Sequence, residues 1–70
     1  MMMHFQFENS SMLDHCSYNT DTDELTVVFV GGKSYTYQDV DRRIYDELTG
    51  AKSAGKYFNL IKKDLKVKVQ

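Results

Sequence analysis

Hydrophobic residues repeat with a period of two up to about position 38, and with a period near 3.6 beyond it. Residues 24–30 read ELTVVFV, and these β-branched and aromatic residues predict the strongest strand in the chain. Gly31 and Gly32 follow and permit the positive φ angles of a tight hairpin. Residues 33–38 are therefore expected to return as the next strand.

The segment before this hairpin predicts a third, weaker strand. Within residues 10–18 the inward positions are expected to be Leu13, Cys16 and Tyr18, whose spacing breaks the period of two as a β-bulge does. The following NTDTD sequence is typical of a turn, because Asn and Asp side chains hydrogen-bond their own backbone. Residues 1–9 are assigned to a flexible or loosely docked arm.

Two short helices are predicted in the second half of the chain. Val40, Ile44 and Leu48 lie one turn apart, with Asp39 as the predicted N-cap and Gly50 as the stop.

The second helix is predicted to begin at Ser53, with Ala54, Phe58 and Ile61 on one face. Residues 65–70, LKVKVQ, either form an edge strand or hang free. The predicted fold is α+β, a single small domain in which a three-stranded antiparallel β-meander is followed by two short α-helices (βββαα).

The orientation of Tyr35 and Tyr37 depends on the length of the hairpin loop. A two-residue loop sets Val28 opposite Tyr35 and leaves both rings on the open side of the sheet, where they could stack on bases. A three-residue loop with a bulge shifts the register by one and places both rings in the core, with their hydroxyls at its rim. The sequence supports both alternatives, and a chain this small favours large side chains inside.

Composition restricts the class of protein. The 70 residues are 41% hydrophobic and 27% charged, as in one small globular domain of modest stability. The sequence contains neither an apolar run near the roughly 20 residues of a membrane span nor a signal-peptide pattern. We therefore expect a cytoplasmic protein without a membrane partner. The lone Cys16 is interpreted as a small buried hydrophobic residue.

The net charge of −1 hides a gradient along the chain. Residues 1–50 carry three basic and nine acidic side chains, whereas residues 51–70 carry six lysines and one aspartate. A basic segment attracts phosphates through counterion release, although a solvated lysine-rich helix has the same pattern.

No arrangement of residues supplies a nucleophile, a base and oxyanion donors together, so we expect no catalysis. His15 and Cys16 are neighbours and point to opposite faces of a strand. Asp21, Asp23 and Glu24 offer oxygens to a metal, but the run lacks the glycine and the distal glutamate of a calcium loop. We expect no metal and no other cofactor.

Residues spread along the chain resemble a known family. The most specific part is SAGKYFN at residues 53–59, combined with Tyr35-x-Tyr37. The other matching positions are Tyr18, Leu25, Val27, Phe29, Gly32, Val40, Tyr45 and Leu48. Together they resemble the KTSC domain, which occurs at the C-terminus of some lysyl-tRNA synthetases and as a free-standing protein of bacteria and phages. The resemblance covers about residues 10–64. It departs from the family at Asp41, where a proline is expected, and near the end, where the usual aromatic residue is replaced by Leu65 or absent.

The resemblance implies no established activity, but the synthetase context suggests RNA or tRNA binding. The leading hypothesis is a non-catalytic module that contacts RNA or nucleotide phosphates through its basic second helix. The predicted nucleic-acid-binding residues are Tyr35, Tyr37, Lys52, Ser53, Lys56, Tyr57, Asn59 and Lys62. The alternative is a protein-interaction or accessory protein, a monomer or weak homodimer, that docks through Val28, Val30 and Val67.

Ser53 and Gly55 have two interpretations each. In the first interpretation, they place the first turn of a helix and its free amides beside lysines. Such an arrangement favours the binding of a phosphate group. The favoured interpretation of Ser53 is nevertheless a plain helix cap, and that of Gly55 is close packing of the helix on the sheet.

Overall fold

Five strands and two helices make up the chain, in a computed structural model that describes residues 1–68. The strands are β1 Met2–Gln6, β2 Leu13–Asn19, β3 Glu24–Phe29, β4 Ser34–Gln38 and β5 Lys66–Val67. The helices are α1 Arg42–Gly50 and α2 Ala54–Ile61, and a 3₁₀ turn at Lys62–Asp64 follows α2. The strands form one antiparallel sheet in the order β1-β2-β3-β4-β5.

The α+β class and the two helices are confirmed, but the three-stranded meander is wrong because the sheet has five strands. The first extra strand, β1, comes from the segment predicted to be a flexible arm. It pairs with β2 from Met2 opposite Asn19 to Gln6 opposite His15. The alternation of apolar and polar residues in β1 is weak, and Met3 is the one residue of the strand that is not fully exposed. Pairing of the main chain, rather than burial of one face, defines this strand.

The second extra strand, β5, was one of the two alternatives for the C-terminal tail. It pairs with β4 through Tyr37 opposite Val67 and Gln38 opposite Lys66. The remainder of that predicted tail, residues 69–70, lies outside the described residues.

The predicted bulge in β2 is confirmed. The register with β3 shifts between Leu13 and His15. As a result Leu13, Cys16 and Tyr18 all face the core and are at most 1% exposed. Burial raises the pKa of the Cys16 thiol to about 12, so the thiol is neutral at physiological pH.

The hairpin between β3 and β4 has the three-residue loop, and the two-residue alternative is wrong. The Phe29 N–H donates to the Lys33 carbonyl at 2.7 Å, and the Gly32 N–H donates to the Phe29 carbonyl at 3.0 Å. Gly31 and Gly32 have φ angles of 105° and 102°, which only glycine adopts readily. Val27 consequently lies opposite Tyr35, one residue away from the register of the shorter loop.

The first helix begins two residues later than predicted. Asp41, not Asp39, is the N-cap of α1, and its Oδ1 accepts a 2.8 Å bond from the Arg43 N–H. Asp39 instead has φ of +57°. The intervening Val40 is buried, and its N–H donates to the Asp23 carbonyl at 2.8 Å. Because this bond ties residue 40 to the β2–β3 turn, the helix begins only after it.

Both helices pack on the same face of the sheet and close the core. Tyr45 and Leu48 are the buried residues of α1, and Ala54 and Phe58 are those of α2. The ring of Phe58 makes an edge-on contact with Phe29, at 5.6 Å between centroids. Within residues 1–68, no helix is long and apolar enough to cross a membrane.

Candidate functional site

A groove of about 640 Å³ lies between the β1–β2 connection and the start of α2. Its walls are residues 8–12 on one side and residues 51–56 on the other, with Phe5, Phe7 and Thr49 between them. Three of the predicted binding residues, Lys52, Ser53 and Lys56, belong to this groove. Asn59 and Lys62 are exposed further along the same helix and its 3₁₀ turn, and are not among its walls.

The wall formed by residues 8–12 is held in shape by one serine. Ser10 Oγ accepts hydrogen bonds from the N–H groups of Met12, at 3.2 Å, and Leu13, at 2.9 Å. This local turn starts β2 and leaves the side chains of Asn9 and Ser11 exposed beside the groove. Sequence reasoning missed this wall, because its position depends on β1 being a strand.

The opposite wall is the capped first turn of α2. Ser53 is the N-cap as predicted, and its Oγ accepts a 3.4 Å bond from the Lys56 N–H. The Ser53 carbonyl accepts the Tyr57 N–H at 3.1 Å. The amides of Ala54 and Gly55 precede the first intrahelical bond, so neither has a hydrogen-bond partner within the helix. They add partial positive charge to this end of the groove.

Two lysines flank this first turn. Lys52 and Lys56 are both exposed, and among the described residues neither lies within ion-pair distance of a carboxylate. Glu8 is the one acidic side chain among the lining residues. The charge of the groove is therefore positive overall, with one carboxylate at its opposite wall.

Gly55 lies where α2 meets the other wall. A Cβ atom placed on Gly55 would lie 3.5 Å from the Cβ and Sδ atoms of Met12, an ordinary van der Waals distance. The helix thus contacts the β1–β2 connection closely, but without a clash that would require glycine.

The hydroxyl of Tyr57 makes a hydrogen bond that links the two helices. Its hydroxyl donates to Glu47 Oε1 at 2.6 Å and so joins α2 to α1. Burial, and then this hydrogen bond, raise the pKa of Tyr57 to about 12. The Tyr57 side chain is half-buried, and its polar end is already paired.

The paired tyrosine platform does not form. Tyr37 is 5% exposed on the helix-covered face, with its ring 5.9 Å from that of Phe58. Tyr35 lies on the same face but at the margin, where it is 44% exposed. It lines a shallow groove of about 410 Å³ with Phe29, Val30, Gly31 and Lys33 at the hairpin.

The residues named for the protein-interaction alternative lie on three separate elements. Val28 is half-buried on the open face of the sheet, opposite Ser34. Val30 is in the hairpin loop and is 56% exposed, and Val67 is on β5 and is 49% exposed.

No group of three or more His, Cys, Asp or Glu side chains within residues 1–68 is placed to hold a metal ion. His15 Nδ1 instead lies 2.6 Å from Asp14 Oδ2 on the surface, while the neighbouring Cys16 is buried. The two side chains point to opposite faces of β2, as predicted.

Comparison with known proteins identifies the family. The profile of the KTSC domain matches residues 9–64. A protein of Tsukamurella paurometabola is 33% identical to this chain over 54 residues, which cover 77% of this chain and 81% of that protein. The crystal structure of a KTSC domain protein from Yersinia pestis has the same fold, with a TM-score of 0.86 over 100% of this chain and 99% of that one, at 24% identity. The chain therefore belongs to the KTSC domain family.

Proposed function

We propose that this chain is a non-catalytic binding module, and that the groove at the start of α2 receives a phosphate group of RNA or of a nucleotide. The observation that carries the proposal is that Lys52, Lys56 and the first turn of α2, which begins at the Ser53 cap, line one concave surface. Helix N-termini with adjacent cationic side chains favour phosphate, because backbone N–H groups and the helix dipole point at the anion.

The distribution of charge supports the same surface. Four exposed lysines lie on α2 or directly beside it, and among the described residues none of them is in an ion pair. They are Lys52, Lys56, Lys62 and Lys63. Lys68 differs, because its Nζ lies 2.8 Å from Glu24 Oε2. These four lysines within twelve residues concentrate positive charge on and beside α2, which favours the approach of a polyanion.

Phosphate rather than base recognition is expected to dominate. Tyr37 is buried and the Tyr57 hydroxyl is bonded to Glu47, so Tyr35 is the remaining exposed ring of the predicted set. Contacts to phosphates orient a nucleic acid but carry little sequence information. We therefore expect binding that is strongly salt-dependent and has little sequence preference.

Fluorescence anisotropy with a labelled single-stranded RNA tests the proposal, with a tRNA and a panel of nucleotides as further ligands. Binding should be measured at several salt concentrations for the wild type and for the double variant Lys52→Ala/Lys56→Ala. Each lysine that contacts a phosphate contributes about one unit to the slope of log affinity against log salt, so the slope should decrease by about two.

Lys66→Ala is the matched control, because Lys66 is an exposed lysine on β5 and outside the groove. It should weaken binding less than the double variant does. Absence of RNA and nucleotide binding at low salt would refute the proposal. Binding that the double variant leaves unchanged would refute the groove as the site.

A further inference from the structure

The two edges of the sheet differ in their protection against pairing with another strand. β5 forms one edge with two residues, and both Lys66 and the adjacent Lys68 carry charge there. β1 forms the other edge with five residues. Residues 1–7 read MMMHFQF and contain no Asp, Glu, Lys, Arg or Pro. Natural sheets protect exposed edges with short strands, lysines or prolines, and β1 has none of these.

Hydrogen bonds to β2 use only alternate residues of β1. The Met1 carbonyl accepts a bond from the Thr20 N–H at 2.9 Å, and the Phe7 N–H donates to the Asp14 carbonyl at 3.0 Å. In an antiparallel ladder this fixes the odd-numbered residues of the strand as those bonded to β2. The main-chain N–H and C=O groups of the even-numbered residues point away from the sheet. These residues are Met2, His4 and Gln6.

A second copy of β1, antiparallel and centred on His4, satisfies all of these outward groups. In this register His4 lies opposite His4 of the other copy, and Met2 lies opposite Gln6. On the helix-covered side the same register sets Met3 opposite Phe5 of the other copy. Phe5 is 37% exposed and Met3 is partly buried, so the contact covers apolar surface that each copy leaves open. No charged side chain faces another along residues 1–7.

We infer that β1 is a dimerisation edge, on which a second copy of this chain adds its own β1 in antiparallel register about His4. The contact involves one short strand and one exposed aromatic ring from each copy. The surface area that such a contact buries is well below the roughly 1,600 Å² of a standard stable interface, so the dimer is weak. The partner is a second copy because β1 is self-complementary: the antiparallel register about His4 pairs every outward group of Met2, His4 and Gln6, matches Met3 with Phe5 and sets no charged side chain against another.

Amide hydrogen exchange followed by NMR tests this register directly. The amides of Met3 and Phe5 are bonded to β2 in the monomer and should be protected at every concentration. The amides of His4 and Gln6 face solvent in the monomer. They should exchange quickly in dilute protein and become protected at roughly 1 mM, where a weak dimer is populated. Sedimentation velocity over the same range should show the mass increase.

His4→Lys places two positive charges directly opposite each other in the dimer and should weaken it by more than about tenfold. Ser34→Lys is the matched control, because Ser34 is an exposed polar residue of β4 on the same face of the sheet as His4. It should leave dimerisation unchanged. If His4→Lys does not fold, His4→Pro removes only an outward N–H, a position that an edge strand tolerates.

Three results would overturn the inference. One is fast, concentration-independent exchange of the His4 and Gln6 amides up to roughly 1 mM. Another is self-association that persists unchanged in the folded His4 variant. The third is a chain that stays monomeric while β1 pairs with an extended peptide from another protein.

Discussion

The hydroxyl of Tyr18 donates a buried 2.6 Å hydrogen bond to the carbonyl of Val40, a residue 22 positions further along the chain. The same hydroxyl lies 2.9 Å from Asp23 Oδ1, and the Val40 N–H donates to the Asp23 carbonyl at 2.8 Å. Three residues thus join β2, the β2–β3 turn and the connection into α1. The junction sets the position from which α1 crosses the sheet.

Replacing Tyr18 with Phe should lower the free energy of unfolding by about 1–3 kcal/mol, because the buried Val40 carbonyl loses its donor. Urea unfolding monitored by circular dichroism measures the change. Tyr35→Phe is the control: among the described residues its hydroxyl makes no hydrogen bond, and the expected change is within about 0.5 kcal/mol. A Tyr18→Phe protein as stable as the wild type would show that this bond contributes little.

The two aspartates before α1 should respond differently to substitution. Asp41→Ala removes the N-cap oxygen from the Arg43 N–H and should cost about 1 kcal/mol. Asp39→Gly should cost nothing or stabilise slightly, because glycine adopts a φ of +57° without strain. Thermal and urea unfolding of both variants provide the measurement. A larger loss from Asp39→Gly than from Asp41→Ala would place the cap at Asp39 instead.

Two large side chains of α2 offer a matched test of the core. Phe58 is 1% exposed, and Phe58→Ala should cost about 3–5 kcal/mol, which is enough to unfold much of a domain this small. Leu60 on the same helix is 72% exposed, and Leu60→Ala should change stability by less than about 0.5 kcal/mol. Far-ultraviolet circular dichroism and urea titration distinguish the two. Similar losses from both variants would mean that α2 packs in another rotation.

Stability should fall at alkaline pH. Burial raises the pKa of the Cys16 thiol from 9.0 to about 12, and burial with the bond to Asp23 raises that of the Tyr18 hydroxyl from 10.0 to about 12. The folded chain therefore keeps protons that the unfolded chain releases. The contribution of these two groups to the free energy of unfolding is fully present below pH 9.0. It is lost progressively as the pH rises toward about 12.

Urea unfolding at intervals from neutral pH to about pH 11 checks this dependence. Cys16→Ala should be less stable at neutral pH because of the cavity, but should lose less stability on going above pH 9.0. A free energy of unfolding that stays constant to about pH 11 would contradict the raised pKa values.

The sequence pattern correctly predicted those elements that are determined by neighbouring residues in the chain. The β-branched run defined β3, the bulge spacing placed Leu13 and Cys16 in the core, and Ser53 capped α2 as expected. The hairpin register depended on a distant contact: the Val30 N–H donates to the Met12 carbonyl at 2.9 Å, which holds Val30 in the loop. No property of residues 30–32 alone distinguishes the two loop lengths.

The missed parts share one cause. β1 is held by main-chain bonds to β2, and these leave little trace in the order of its side chains. The groove was only half predicted for the same reason. Lys52, Ser53 and Lys56 are neighbours in sequence, whereas the wall at residues 8–12 comes from the far end of the chain. Sequence reasoning identified the basic wall of the groove but not the opposite wall.

Gly55 separates the binding function of the groove from its contribution to stability. Its φ is not positive, and an added Cβ would meet Met12 at an ordinary 3.5 Å, so neither backbone strain nor packing requires glycine. Alanine has the higher helix propensity, and Gly55→Ala should raise stability by up to about 1 kcal/mol. If the proposed function is correct, the new methyl group beside the free amides should weaken RNA binding, because a phosphate approaches that backbone closely.

Urea unfolding and RNA anisotropy on the same Gly55→Ala protein measure the two effects. Gly50→Ala is the control, since a Cβ there would meet nothing within 4 Å and Gly50 lies outside the groove. It should leave RNA binding unchanged. Lower stability of Gly55→Ala would show that close packing of α2 on Met12 requires glycine. Higher stability with unchanged RNA binding would show that no ligand occupies the first turn of α2. Both outcomes differ from the expected result, in which the free energy of unfolding rises while the affinity for RNA falls.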